Sequence, residues 1–169
     1  AACADGGALV TGYFEDWAVF GPGGVYKTPL MAAFDEDICL ARYAADGSLA
    51  WATRAGGAVS DVATSVAACA DGGALVTGYF NGTATFGPGE VGTTALTSAG
   101  SYEVFLARYA IDGSLLWAKR AGGTSSWDFG YGVAACADGS ALLTGYFQGT
   151  APFGPGEAGQ TVLTNAGDN

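Results

Sequence analysis

The chain reads as all-β, a β-propeller-like tandem repeat of about 66 residues built from four-stranded antiparallel blades. Three observations predict this. The phrase AACADGGALVTGYF begins at Ala1, returns at Ala67 and returns again at Ala134, with Ser140 and Leu143 as its only departures. From Ala1 to Ala67 is 66 residues and from Ala67 to Ala134 is 67, a period that marks a repeat architecture. Glycine is abundant, at 29 of 169 residues with only 5 prolines and no Gly-X-Y period, which describes short strands joined by many turns. Finally, Asp-Gly stands between β-prone runs at Asp5-Gly6, Asp46-Gly47, Asp71-Gly72, Asp112-Gly113 and Asp138-Gly139, the strongest short-range hairpin signal.

The repeats divide the chain into residues 1–66, 67–133 and a partial third, 134–169. In the second copy, Ser65 to Cys69 is a small-sided strand a, and Ala74 to Phe80 is strand b after the turn at Asp71-Gly72. Val104 to Tyr109 is strand c, and Leu115 to Arg120 is strand d after Asp112-Gly113. Between b and c lies a long excursion centred on Phe-Gly-Pro-Gly, at Phe20, Phe86 and Phe153 in the three copies. Proline fixes φ there and glycine permits what other residues cannot, so the chain must turn sharply. The flanks Thr83 to Phe86 and Thr94 to Thr97 read as an outer hairpin or as an irregular loop pinned by the phenylalanine. Arg54-Ala55-Gly56-Gly57 and Arg120-Ala121-Gly122-Gly123 lead into a crossover loop that holds the one-residue insertion, with Asp61 corresponding to Asp128 after it. Loops absorb insertions and strands do not, which supports the strand boundaries. Small residues on strand a suit the crowded centre of a ring, and Trp51 and Trp117 on strand d suit its periphery.

Composition excludes several classes. Half of the residues are hydrophobic, enough for a packed core, yet no apolar run is long enough for a membrane-spanning helix. Six Lys+Arg stand against sixteen Asp+Glu with no histidine, and a net charge of −10 repels a phosphate backbone. The span covers about two and a half units. Four blades are the usual minimum for a closed propeller, so closure needs other blades of a longer chain or other protein subunits. Unpaired edges make an isolated monomer the least expected state.

The order Asp128-Phe129-Gly130-Tyr131-Gly132-Val133-Ala134, then Asp138-Gly139, then Leu142-Leu143-Thr144-Gly145-Tyr146-Phe147 resembles the bacterial SBBP-type β-propeller repeats. Glu103-Val104-Phe105-Leu106-Ala107-Arg108-Tyr109 with Asp112-Gly113-Ser114-Leu115-Leu116-Trp117 is similar to the rest of that unit. The resemblance implies a propeller in a large secreted or cell-surface bacterial protein. The long excursion departs from the pattern, as do Cys3, Cys69 and Cys136, where a polar residue such as Asp is expected.

Cysteine and carboxylate carry the chemistry worth testing. Cys3, Cys69 and Cys136 recur, while Cys39 stands where the second copy has Phe105. Disulfide geometry leaves Cys39 to Cys69, across a blade interface, as the one pairing to entertain. Without histidine or Cys-x-x-Cys a zinc site is not expected, and small buried hydrophobes are the other account of the thiols. Asp35, Glu36 and Asp37 cluster before strand c, with Glu103 equivalent to Asp37 and Asp168 in a similar place in the third copy. These hard oxygens are candidate calcium ligands, with a solvated acidic turn as the alternative. Asp61 and Asp128 are expected to brace the crossover through backbone hydrogen bonds. Arg42, Arg108, Arg54 and Arg120 recur within strands and are expected to face solvent or pair with carboxylates.

Tyr13, Tyr79, Tyr146, Trp51 and Trp117 offer stacking faces for a sugar, but their recurrence favours packing. An active site needs asymmetry that a repeat lacks. The asymmetric residues are Glu15-Asp16, Trp17, Tyr26-Lys27, Asp35-Glu36 and Trp127. The expectation is a non-catalytic extracellular or cell-surface scaffold or adhesion module without a resident cofactor. A self-associating structural subunit is the second reading, and a glycan-binding or hydrolytic propeller with its site on other blades is the third.

Overall fold

The computed structural model describes residues 1–25, 27–124 and 127–167. Its frame is set by the five Asp-Gly turns. In each the glycine alone takes a positive φ, between 81° and 88°. The preceding aspartate stays right-handed and its Oδ1 accepts the amide two residues on, as from Gly73 to Asp71 at 3.1 Å. Gly72 N donates to Cys69 O at 2.9 Å while Cys69 N donates to Gly73 O at 2.9 Å. This is a type I turn closed by a left-handed glycine, rather than the two-residue turn in which both residues take positive φ.

The first unit contains β1 (Ala8–Phe14), β2 (Trp17–Phe20), β3 (Thr28–Met31), β4 (Asp37–Tyr43) and β5 (Leu49–Gly57). The second contains β6 (Val62–Ala68), β7 (Ala74–Phe86), β8 (Thr94–Tyr109) and β9 (Leu115–Ala121). The third contains β10 (Phe129–Ala135), β11 (Ala141–Tyr146), β12 (Thr150–Phe153) and β13 (Thr161–Thr164). Every strand pairing is antiparallel, and no helix occurs among the described residues. In the second unit β6, β7, β8 and β9 lie side by side in chain order, the expected a–b–c–d meander. Strand a is longer than expected: it begins at Val62, with a bulge between Ala63 and Ser65. The sheets do not close on themselves, β1 and β13 standing at the two ends of the main path.

The excursion is a hairpin in all three copies. It stands apart as β2–β3 and as β12–β13, whereas in the second unit it continues b and c as the far ends of β7 and β8. A bulge between Asn81 and Thr83 bends it, with Gly82 at φ 67°. The second and third hairpins each reach the preceding unit. Ala55, Gly56 and Gly57 at the end of β5 pair with Phe86, Thr85 and Ala84 of β7, and Ala121 of β9 pairs with Phe153 of β12. The excursion is therefore the clasp between neighbouring units.

Strand alternation decides what the units bury. On β4, Ile38 and Leu40 face the second unit, and their packing against Val76, Phe80, Phe86, Phe105 and Tyr109 forms the main core. Phe80, Phe86 and Phe105 are fully buried, each contributing on the order of 2 kcal/mol. Phe86 and Phe105 meet at 5.1 Å between ring centroids. Trp51 of β5 lies beneath Gly113 in the next unit's turn and donates through Nε1 to Ile111 O at 2.8 Å, so strand d's tryptophan pegs one unit to the next.

Gly57→Ala would place a Cβ 2.0 Å from Thr83 O within this clasp. The expected loss is more than about 2 kcal/mol, whereas Gly159→Ala, with nothing within 4 Å, stays within about 0.5 kcal/mol. Urea unfolding of both variants measures the difference.

Candidate functional site

Two constellations gather the chemistry-bearing side chains. The first is a buried network repeated at the root of each clasp. Asp37, the first residue of β4, is fully buried, and its Oδ2 accepts from Arg54 at 2.6 Å and from the Ala33 amide at 3.0 Å. Its counterpart Glu103 is also fully buried, with Oε1 accepting from Arg120 at 2.5 Å and Oε2 from the Ala99 amide at 3.0 Å. The two differ by one methylene, with a visible effect. Glu103 spreads its two partners over two oxygens, whereas Asp37 holds both on Oδ2 and its buried Oδ1 has no partner.

The crossover aspartate closes the network. Asp61 Oδ2 accepts from Gly57 N at 2.8 Å and Oδ1 from Asn81 N at 3.2 Å, while its own amide donates to Glu36 O at 2.8 Å. Asp128 repeats the pattern, with Gly123 N at 2.9 Å, Gln148 N at 3.0 Å and Tyr102 O at 3.0 Å. One side chain thus joins the end of strand d, the crossover and the base of the next excursion. Burial pushes the Asp61 carboxyl up to about 7; the Asn81 and Gly57 amides oppose this and the nearby Asp37 carboxylate adds to it. Burial likewise raises Asp37 and Glu103, against their amide and arginine partners. A Cβ on Gly56 would lie 2.2 Å from Asp37 Oδ1, and one on Gly122 2.4 Å from Glu103 Cγ. Both glycines are needed to admit the carboxylates.

The strand-c arginines work at the other end of the units. Arg42 pairs with Asp5 at 2.6 Å and also donates to Gly72 O of the second unit, and Arg108 grips both oxygens of Asp71 at 2.7 Å. The Arg108 guanidinium and the Gly73 amide hold the Asp71 carboxyl below its usual range.

The second constellation is aromatic and belongs to the junction of the second and third units. Phe129 is its hub. Tyr79 meets it edge-on at 4.7 Å, Tyr102 and Trp127 lie at 5.8 and 6.0 Å, and Tyr131 and Tyr146 stack on it at 6.2 and 6.4 Å. Trp127 and Tyr131 are more than half exposed. The first crossover holds Val62 and Thr64 where the second holds Phe129 and Tyr131, so the cluster has no counterpart there.

The candidate residues separate accordingly. Asp35, Glu36, Asp37 and Glu103 do not converge on a calcium site, and no cluster of three or more such ligands occurs among the described residues. The physical reason is that Asp37 and Glu103 are each consumed by an arginine of their own unit, while Asp35 accepts from Ser60 Oγ at 3.2 Å. Asp168 and Tyr26 lie outside the described residues.

The Cys39–Cys69 disulfide is not formed, all four thiols being free. Alternation explains this: Cys39 points to the face opposite Leu40, packing with Phe14 and Leu30, and burial raises its thiol. Cys69 instead shares a cleft with Cys3 near Arg42 and Asp71. Trp17 is exposed on β2, and Asp16 beside it is the only non-glycine with positive φ among the described residues. The sequence marks Trp127 by its asymmetry but not the cluster around it. Phe129 and Tyr131 close by, two residues apart, are the available signal.

No family model matches the chain. An uncharacterized WD repeat-containing protein of Acanthamoeba polyphaga mimivirus is 28% identical over 127 residues, 69% of this chain. The chain covers 9% of that protein's length. The likeness is consistent with a propeller-type repeat and gives no support to SBBP repeats in particular.

Asp37→Glu is expected to divide the Arg54 and Ala33 contacts over two oxygens and to stabilise the protein by about 1 kcal/mol in urea unfolding. The pH dependence follows from Asp61. Its folded carboxyl keeps its proton to about 7 against a usual 3.8, so the folded state binds more protons across that window. Its contribution is therefore present in full below 3.8 and is lost as pH rises through about 7. Asp61→Asn is expected to flatten this slope, and to lower stability at all pH because its NH2 group faces one of the two amides.

Proposed function

We propose that the chain is part of a propeller-type array acting as a non-catalytic scaffold or adhesion module, extracellular or at a cell surface, with the Phe129 cluster as its contact surface. The observation that carries this reading is where the asymmetry falls. The recurrent carboxylates and arginines are spent on turns, clasps and crossovers, whereas Trp127 and Tyr131 break the repeat and stand exposed. Large aromatic side chains presented on rigid strands are the usual anchors of macromolecular contacts. The likeness to a WD repeat-containing protein supports an interaction role. The secreted setting rests on the sequence resemblance and agrees with an acidic surface. The net charge of −10 argues against nucleic acid, and no helix among the described residues is long and apolar enough to cross a membrane.

A second reading, a self-associating structural subunit, is favoured by the strand edges at the ends of the sheets. A third makes the aromatic cluster a surface-glycan site. Sedimentation velocity across the micromolar range, with tryptophan fluorescence titrated against soluble oligosaccharides, separates the three. The scaffold reading expects species that stop growing with concentration and no saturable quenching. Unlimited growth moves the assembly reading to first place. Saturable quenching that is lost in Trp127→Phe moves the glycan reading there.

A further inference from the structure

The outer face of the hairpin β2–β3 carries a second break in the repeat, which neither the packing nor the contact reading above uses. On this hairpin Trp17 stands opposite Met31 and Val19 opposite Pro29, all four on one side of the pair. The other side, with Ala18, Phe20 and Leu30, packs around Phe14 and Cys39. The outer side lies open: Trp17 is 56% exposed, Met31 63% and Val19 40%. The second copy shows that this face stays open with a unit on either side. There the same positions are Thr83 opposite Thr97 and Thr85 opposite Ala95. Thr83, Thr97 and Ala95 are exposed although their hairpin is clasped to β5.

The repeat furnishes this face for water. The Thr83 and Thr97 hydroxyls share a hydrogen bond of 3.0 Å, and Thr150 and Thr164 repeat it at 3.1 Å. In the first hairpin an indole and a thioether replace that pair, and contiguous apolar side chains left in water mark an interaction site. The residues before Trp17 change with it. Glu15-Asp16-Trp17 stands where the other copies have Asn81-Gly82-Thr83 and Gln148-Gly149-Thr150. Gly82 and Gly149 take φ of 67° and 69°, and Asp16 keeps that left-handed bend at 52°, where a side chain is strained. Asp16 O accepts the Ala32 amide at 2.9 Å, as Gly149 O accepts that of Asn165, so the bend is the same and the carboxylate is new. Neither Glu15 nor Asp16 has an ion-pair partner among the described residues, Arg42, Arg54, Arg108, Lys119 and Arg120 being paired elsewhere. Two uncompensated negative charges thus stand at the end of an apolar face.

We infer that the outer face of β2–β3 is a docking site for an arginine-bearing amphipathic polypeptide segment. Its apolar side chains lie on Val19, Pro29 and Met31, and its guanidinium stacks on Trp17 while donating to Glu15 and Asp16. A guanidinium is suited to both roles at once, and an indole is the best aromatic face for a cation. Charge excludes the other occupants. A second copy meeting this face about a two-fold axis would set Glu15 and Asp16 against their own images, in a chain of net charge −10. An anionic lipid surface is repelled in the same way. A neutral sugar would use the indole and leave the three apolar side chains beside it without a role. The site belongs to the first unit, whereas the Phe129 cluster joins the second and third, so this inference and the contact reading above fail independently.

The test is fluorescence anisotropy of a labelled synthetic peptide of alternating Leu and Arg, titrated with the intact chain at low and at physiological ionic strength. Saturable binding that weakens as salt rises is expected. The same peptide with Glu for Arg, or with Ser for Leu, is expected to lose at least about tenfold in affinity. Trp17→Thr, and Glu15→Asn with Asp16→Gly, install the residues that the second copy carries at these positions. Each is expected to weaken binding by about tenfold. Asp16→Gly also relieves the strained φ, so the double variant is expected to melt higher than the parent while binding less. Should Trp17→Thr fail to fold, Met31→Thr takes its place. Absence of binding up to about 1 mM chain overturns the proposal, that being the weak limit of measurable recognition. Equal binding of the Glu-bearing peptide or undiminished binding by Trp17→Thr overturns it as well. So does a loss confined to Trp127→Phe, which moves the segment to the Phe129 cluster.

Discussion

The structure depends on burying a carboxylate at the first residue of strand c. Asp37 and Glu103 have no contact with solvent, and each is held by an arginine from the adjacent strand d. A buried charge is tolerable only when paired and hydrogen-bonded, so strand d must lie in register with strand c and the loop before c must present its amide. The glycines that follow the arginine are needed because any side chain there would occupy the carboxylate's space. The crossover then has one course, because Asp61 and Asp128 must reach both the glycine amide behind them and the excursion ahead. The buried strand-c acid and the buried crossover aspartate together set strand register, crossover path and the position of the clasp.

The clasp converts local order into an array. A four-stranded meander buries one face well and leaves the other in need of a neighbour. Here the b–c excursion leaves its own unit and adds to the last strand of the unit before, so the units share main-chain hydrogen bonds as well as side-chain packing. Trp51, sealed under the next turn, and Arg42, donating to the next unit's Gly72 carbonyl, strengthen the same joint nearer the turns. Because each unit is completed by its neighbours, the units cannot be regarded as independent domains joined by linkers.

Much of this was legible in the residues. The repeated phrase and the Asp-Gly turns placed the turn-side ends of strands b, c and d, although β7 runs on from Phe80 to Phe86 and β8 begins at Thr94 rather than Val104, and the crossover aspartates were readable as braces. Three things were not. The excursion's role as a clasp depends on a neighbour in space, which hydrophobic periodicity within one unit does not reveal. Asp35 to Asp37 resemble a set of ligands because they are adjacent in sequence, but adjacency along the chain is not convergence in space. Alternation and Arg54 separate Asp37 from its two neighbours. Cys39 and Cys69 could be imagined across an interface only by ignoring that Cys39 lies on the strand face opposite Leu40. The aromatic cluster was half visible: Trp127 broke the pattern, but its assembly around Phe129 needed four strands, β7, β8, β10 and β11, to be brought together.

Near-identical sequence in different surroundings shows how little a strand decides alone. Leu9 and Leu75 are 2% and 1% exposed, while Leu142, in a phrase that differs from the second copy by two residues, is 64% exposed. The first two are covered by β6 and β10 of the following unit, and Leu142 has no such cover. Thr77 and Thr144 differ in the same way, one hydroxyl spanning to the next strand and the other returning to its own hairpin. The repeat therefore specifies a surface that is complete only beside another copy of its pattern, and recognition and folding draw on the same residues. Where the pattern is broken, Trp127 and Tyr131 stand exposed around Phe129, and there the array has surface to spend on something other than itself.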